Sequence, residues 1–218
     1  MSGHNPIHHH PDETLLLDHA AGKLDPAMAL VIATHLSFCA PCAGAVALAG
    51  RVGGILLSDF APTSLMPGAL EKTLAHLGPQ DARAVAGNDS TNDNTPAPLR
   101  AFLGCDQGQV RWRAMGPRLG YVNLYQRGPV ALRLLRGAPG ANTGSHSHRG
   151  MEYTLVLQGG FTDVTGIYGP GDFQVASAAV NHDPVADAGE DCINLALTTG
   201  PLRFDGLVPR LAGRLFGF

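Results

Sequence analysis

The sequence predicts a two-domain α + β protein in which a small helical bundle precedes a β-barrel. The first eighty residues are punctuated as short helices, whereas beyond about residue 110 the chain breaks into brief apolar runs separated by Gly, Pro, Asn and Asp. Between them Gly87 to Pro96 is almost wholly polar, too poor in apolar surface to offset the entropy of ordering it. Two metal-ligand sets flank it: His10, His35, Cys39 and Cys42 on one side, His146, His148, Glu152 and His182 on the other. The expected boundaries are a helical domain over 1–90, a linker over 91–97 and a barrel over 98–218.

Asp12 is the N-cap expected for a first helix beginning Glu13-Thr14-Leu15-Leu16-Leu17, with Gly22 as its stop. Asp25-Pro26 opens a second helix with proline at its first position, running through Met28, Val31 and Ile32 to His35 and ending near Cys39. Pro41 cannot sit inside a helix, so it starts a third, which runs toward Arg51 before Gly53-Gly54. A fourth is expected over Met66 to Leu77, closed by Gly78. The strands expected are Arg111 to Arg113, Tyr121 to Tyr125, Val130 to Leu135, Tyr153 to Leu157, Phe173 to Ala176 and Cys192 to Leu197. Short strands at such intervals signal a sandwich or barrel.

Composition excludes several classes. Of 218 residues 44% are hydrophobic and 15% charged, and no run of eighteen uncharged apolar residues appears, so no membrane span is expected. A net charge of -3 with no Lys/Arg cluster argues against direct nucleic-acid binding. The polar, His-rich start lacks the layout of a secretory signal, which points to the cytoplasm. Cys105 and Cys192 stand alone and read as small buried side chains. His19 and His76 read as helix-surface residues and Trp112 as a packing residue.

In the N-terminal set, His35 and Cys39 are four residues apart and share a helix face if the second helix persists that far. Cys42 falls at the next helix start, where the helix terminus lowers a thiol's pKa. A mixed imidazole/thiolate set suits zinc. By spacing alone His8, His9 and His10 all compete for the fourth position, and a Cys-x-x-Cys redox pair is the rival reading, though its usual βαβ setting is absent. In the second set, alternate strand residues share a face, so His146, His148 and Glu152 can point into a barrel while Arg149-Gly150 bends the chain. His182 completes three imidazoles and a carboxylate, a harder set that suits Zn, Fe, Mn or Ni.

Ala33-Thr34-His35-Leu36-Ser37-Phe38-Cys39-Ala40-Pro41-Cys42, with a histidine about 25 residues upstream of His35, resembles the zinc-binding anti-sigma domain. Gly140-x5-His146-x-His148-x3-Glu152-x6-Gly159 resembles the first cupin motif, and Gly169-Pro170-Gly171-Asp172, followed ten residues later by His182, resembles the second. Asn181-His182-Asp183 departs from it by lacking a proline just before the histidine. Taken whole, the chain resembles ChrR-type anti-sigma factors. That resemblance implies His10 as the fourth zinc ligand and a cupin jelly roll as the second domain. It also implies a group IV (extracytoplasmic-function) sigma factor as partner, blocked from core RNA polymerase and released on a singlet-oxygen-type signal sensed by the cupin.

Leu56, Leu57, Phe60, Leu65, Leu70 and Leu74 are the expected sigma-binding residues, although the same spacing would serve a helix-bundle core. A homodimer through the cupin is compatible with the sequence. The chain is expected not to be an enzyme. The rival reading is a metal-dependent cupin dioxygenase of the β-diketone-cleaving type, since such enzymes share the same ligands.

Overall fold

The computed structural model describes residues 6–76 and 95–204. The expected helix stop at Gly78, most of the polar run from Gly87 and the segment beyond Phe204 lie outside the described residues. The helices come first: α1 (Glu13–Ala20), α2 (Pro26–Leu36), α3 (Ala40–Ser58), α4 (Ala69–His76) and α5 (Ala97–Leu103). The strands follow: β1 (Arg113–Ala114), β2 (Leu119–Arg127), β3 (Val130–Gly137), β4 (His146–His148), β5 (Glu152–Gln158), β6 (Phe161–Asp163), β7 (Gly166–Tyr168), β8 (Phe173–Ala176), β9 (Val185–Ala186), β10 (Cys192–Thr198) and β11 (Leu202–Phe204).

The Asp12 side chain accepts from the Leu15 N–H at 2.8 Å, and Asp25 caps α2 by accepting from Ala27 at 2.9 Å with Pro26 in the first turn. Helix α2 ends at Leu36, earlier than expected. Helix α3 does not stop at Gly53-Gly54 but runs on to Ser58. Glycine inside a helix costs only about 1 kcal/mol, which eighteen neighbouring residues can absorb. With that extension α3 becomes long and apolar enough, by length and composition, to cross a membrane, although Arg51 interrupts its uncharged run. Helix α4 starts at Ala69 rather than Met66, β1 is displaced to Arg113–Ala114, and α5 was not expected at all.

A six-stranded sheet, in the order β1-β2-β3-β10-β5-β8, forms one wall of the barrel; β7-β6-β9 and β11-β4 complete it. Residues alternate across this sheet. Glu152, Thr154 and Val156 of β5 face the barrel interior, where Val156 packs with Phe161, Tyr168 and Cys192. Leu155 and Leu157 share the opposite face with Leu132, Leu134, Phe173, Leu195 and Leu197.

That outer face is covered by the helices. Val31 and Ile32 of α2 and Leu99 of α5 are fully buried and belong to the same apolar cluster as the outer-face leucines. Helix α2 touches α1, α3, α5 and β10, and Tyr125 of β2 donates to Asp25 at its start at 3.2 Å. The two halves therefore share one core, a consequence of α2 being apolar on most of its circumference.

Candidate metal centres

Cys39 caps the start of α3 after a tight turn from α2, and Cys42 lies in the first turn of that helix. The Cys39 Sγ is 3.4 Å from the His10 Nδ1, and the Cys42 Sγ 3.5 Å from the same nitrogen. His35 projects from the last turn of α2 and is fully buried. One ligand atom from each of His10, His35, Cys39 and Cys42 lies within 4.8 Å of the other three. A tetrahedral zinc ion with one nitrogen and one sulfur ligand separates those atoms by about 3.5 Å, from the usual Zn–N and Zn–S lengths. The two His10–sulfur separations match it.

Of the three competing histidines, His10 is the one turned to the sulfurs. His9 instead packs at a tilt against Tyr168, ring centroids 4.4 Å apart, and lies 3.4 Å from Asp172.

His35 donates from Nδ1 to the Gly171 carbonyl at 2.9 Å, leaving a buried Nε2 with no partner among the described residues. Burial is the main reason its pKa falls to about 4, so at neutral pH the ring is uncharged and Nε2 offers a lone pair. The Cys42 thiol behaves contrary to the helix-terminus expectation: burial and then the neighbouring Cys39 push it up to about 12. Desolvation outweighs the helix dipole here. A bound cation would reverse that balance, since a coordinating thiol is deprotonated.

The barrel quartet is built by strand pairing. His146 and His148 lie two apart on β4 and both are buried. His182 is drawn beside His146 by reciprocal backbone hydrogen bonds, each 2.9 Å. Glu152 opens β5. The His148 and His182 Nε2 atoms lie 3.1 Å apart, each 3.3 Å from the Glu152 Oε2, and all four ligand atoms fall within 4.8 Å. Nitrogen and oxygen ligands on a tetrahedral zinc sit about 3.4 Å apart. The bend between β4 and β5 requires glycine, because a Cβ at Gly150 would fall 2.5 Å from the Thr199 Oγ1 and 2.9 Å from its backbone carbon.

Burial lowers the pKa of His146 and of His148. Burial also acts downward on His182, but the hydrogen bond and charge of Glu152, with those of Asp163, prevail and raise it. Burial alone would raise Glu152; the hydrogen bond from His182 and the nearby His148 and His146 lower it instead. The site thus keeps a carboxylate beside two imidazoles favoured in the neutral form, His146 and His148, while His182 is favoured in the protonated form and would give up that proton to a divalent cation.

Sequence reading missed the carboxylate behind this quartet. Asp163, at the end of β6, accepts from the His182 Nδ1 at 2.7 Å, and its carboxylate also takes the Gln174 amide at 2.7 Å. Nothing local in Phe161-Thr162-Asp163 announces this, because Asp163 also closes an ordinary turn onto Thr165. Such carboxylate–histidine pairs orient the ring and raise its basicity. Asp163→Asn should weaken metal binding in the barrel by about 10–100-fold, measured by chelator competition; unchanged affinity would remove the assigned role. Beside His146 and Glu152 the barrel holds a cavity of about 80 Å³, lined in part by Arg133, Thr154 and Phe161.

The family described as the ChrR cupin-like domain matches residues 101–203. The anti-sigma-E factor ChrR of Cereibacter sphaeroides is 40% identical over 210 residues, 96% of this chain and 98% of that protein. A crystal structure of Rhodobacter sphaeroides SigE in complex with the anti-sigma ChrR matches with 39% identity and a TM-score of 0.75, covering 88% of this chain and 99% of the matched one.

Proposed function

This chain belongs to the ChrR-type anti-sigma factors, and from that premise we propose that it sequesters a group IV (extracytoplasmic-function) sigma factor in the cytoplasm and releases it on an oxidative, singlet-oxygen-type signal. Residues 1–90 bind the sigma factor. The cupin, 98–218, holds a divalent metal through His146, His148, Glu152 and His182 and receives the signal. His10, His35, Cys39 and Cys42 hold a structural zinc. Imidazole and thioether groups are oxidisable, and Met151 sits beside Glu152 in the chain.

One observation carries the sigma-binding reading. All six residues expected for that face, Leu56, Leu57, Phe60, Leu65, Leu70 and Leu74, are 53–80% exposed, joined by Leu48, Val52, Ile55 and Met66. The alternative, a helix-bundle core, would have buried them. An exposed apolar surface of this extent marks an interaction site, and a wrapped partner would bury well over roughly 2,000 Å² in total. A bilayer also fits an apolar helix, but Arg51 in the middle of α3 favours a protein groove. No observation favours the β-diketone dioxygenase, because the similarity extends through a helical half that such an enzyme does not need.

The test is co-purification of the full chain with a group IV sigma factor from the same genome. The double change Leu57→Glu and Phe60→Glu should weaken that complex by at least about 100-fold, the cost of two lost apolar anchors, with metal content unchanged. Full binding by this variant would place the interface elsewhere.

A further inference from the structure

The turn joining β7 to β8, Gly169 to Asp172, belongs to the barrel, yet its hydrogen bonds reach into the N-terminal quartet. Asp172 is only 5% exposed. Its Oδ1 accepts from the backbone N–H groups of His8 at 2.8 Å and His9 at 2.9 Å, while Oδ2 accepts from Gly169 at 2.9 Å within its own turn. Phe173 N–H in turn donates to the His9 carbonyl at 3.0 Å. Together these bonds fix the path of residues 8 and 9, and with it where His10 enters.

The neighbouring residue acts on a second member of the quartet. The Gly171 carbonyl receives the His35 Nδ1–H, which sets that ring's tautomer and leaves the buried Nε2 as its ligand nitrogen. The close approach depends on glycine twice over. Its φ is +90°, and a Cβ there would fall 2.7 Å from the Ile7 Cδ1 and 3.0 Å from the Phe38 Cβ. Two of the four N-terminal ligands are thus placed by two consecutive barrel residues, and the two cysteines by the α2–α3 turn.

The same turn is tied to the barrel quartet. Gly171 N–H donates to the Val156 carbonyl at 2.9 Å, and Val156 N–H to the Asp172 carbonyl at 3.1 Å. Val156 lies on β5, the strand that opens with Glu152. Two residues beyond Asp172, Gln174 holds the carboxylate that orients His182.

We propose that Gly171 and Asp172 are positioning residues of the N-terminal metal site, supplied across the domain boundary by the cupin, so that the placement of this turn sets how tightly the N-terminal ion is held. This rests on the reading that His10, His35, Cys39 and Cys42 bind a metal. A shift of β8 would withdraw the Asp172 and Gly171 acceptors together, giving the barrel a direct physical hold on the helical half.

The experiment titrates the metal-stripped full chain with Co(II) against a competing chelator. Thiolate-to-cobalt charge transfer in the near ultraviolet reports the sulfur-containing quartet alone, because the barrel quartet has no sulfur. Asp172→Ala should weaken Co(II) in that band by about 10–100-fold, the usual effect of losing an outer partner of a metal ligand. Asp172→Asn, which keeps one acceptor oxygen, should lose less, and it decides the matter where the Ala variant does not fold. Tyr125→Phe removes a different bond between the halves, to Asp25, and should leave the band and affinity unchanged. Parent affinity in a folded Asp172 variant overturns the proposal, as does equal weakening by Tyr125→Phe, which would indicate general docking of the two halves. A parent chain with no charge-transfer band at all overturns the metal reading beneath it, an outcome distinct from either.

Discussion

Cys42→Ala should cost the chain one zinc and abolish sigma binding. Zinc in comparable small sites contributes roughly 10 to 16 kcal/mol, as much as the whole stability of an ordinary domain. Here the ion would join the N-terminal segment, the end of α2 and the start of α3, through His10, His35 and the two cysteines. Without it α3, whose exposed apolar residues are the proposed docking surface, loses its anchor to α2. Cys39→Ala should do the same. Metal analysis of the purified chain and sigma co-purification check both outcomes; normal zinc and normal inhibition in both variants would remove the site.

The pH dependence of that binding follows from the thiol. With Cys42 pushed up to about 12 in the metal-free chain, metal entry must expel a proton across the whole range from pH 6 to 8. His35, lowered to about 4, is already neutral there and offers no competing proton. Zinc affinity should therefore rise with pH, about tenfold per unit for each proton displaced, and fall as the solution is acidified.

Glu152→Ala should leave repression intact and abolish release by oxidant. The change removes one of the four candidate ligands and leaves three buried imidazoles without their carboxylate, so barrel metal affinity should fall by at least about 100-fold. The helical face is not touched. Sigma binding in the dark and release under a photosensitising dye, measured on one preparation, separate the possibilities. Release that persists at the parent rate eliminates the sensor role, and steady oxygen uptake by the parent with a β-diketone would promote the dioxygenase.

Much of the candidate chemistry was legible because three members of each quartet lie at local spacings, His35, Cys39 and Cys42 in one and His146, His148 and Glu152 in the other. His146 and His148 share a face by the period of a strand, and the caps at Asp12 and Asp25 are one-residue signals read by their own helices. Element ends were less legible. The Gly53-Gly54 pair looked like a stop, but glycine only weakens a helix, and α3 continued through it. Helix α5 escaped notice because it follows the polar run, carries two prolines at its start and has a single fully buried residue, Leu99.

The sequence by itself determined the fold class, and it proposed the candidate ligands His35, Cys39 and Cys42 of one quartet, His146, His148 and Glu152 of the other, and the six apolar residues on and between α3 and α4, since each depends on residue type at short spacing. Tertiary structure alone decided which of three adjacent histidines meets the cysteines, that those six residues face solvent instead of a core, and that the two halves share one apolar cluster. It alone gave Asp163 and Asp172 their work. A carboxylate's partner is set by where the folded chain brings donors to it. Those donors lie 19 residues away for Asp163 and 163 and 164 residues away for Asp172, separations at which local periodicity carries no information.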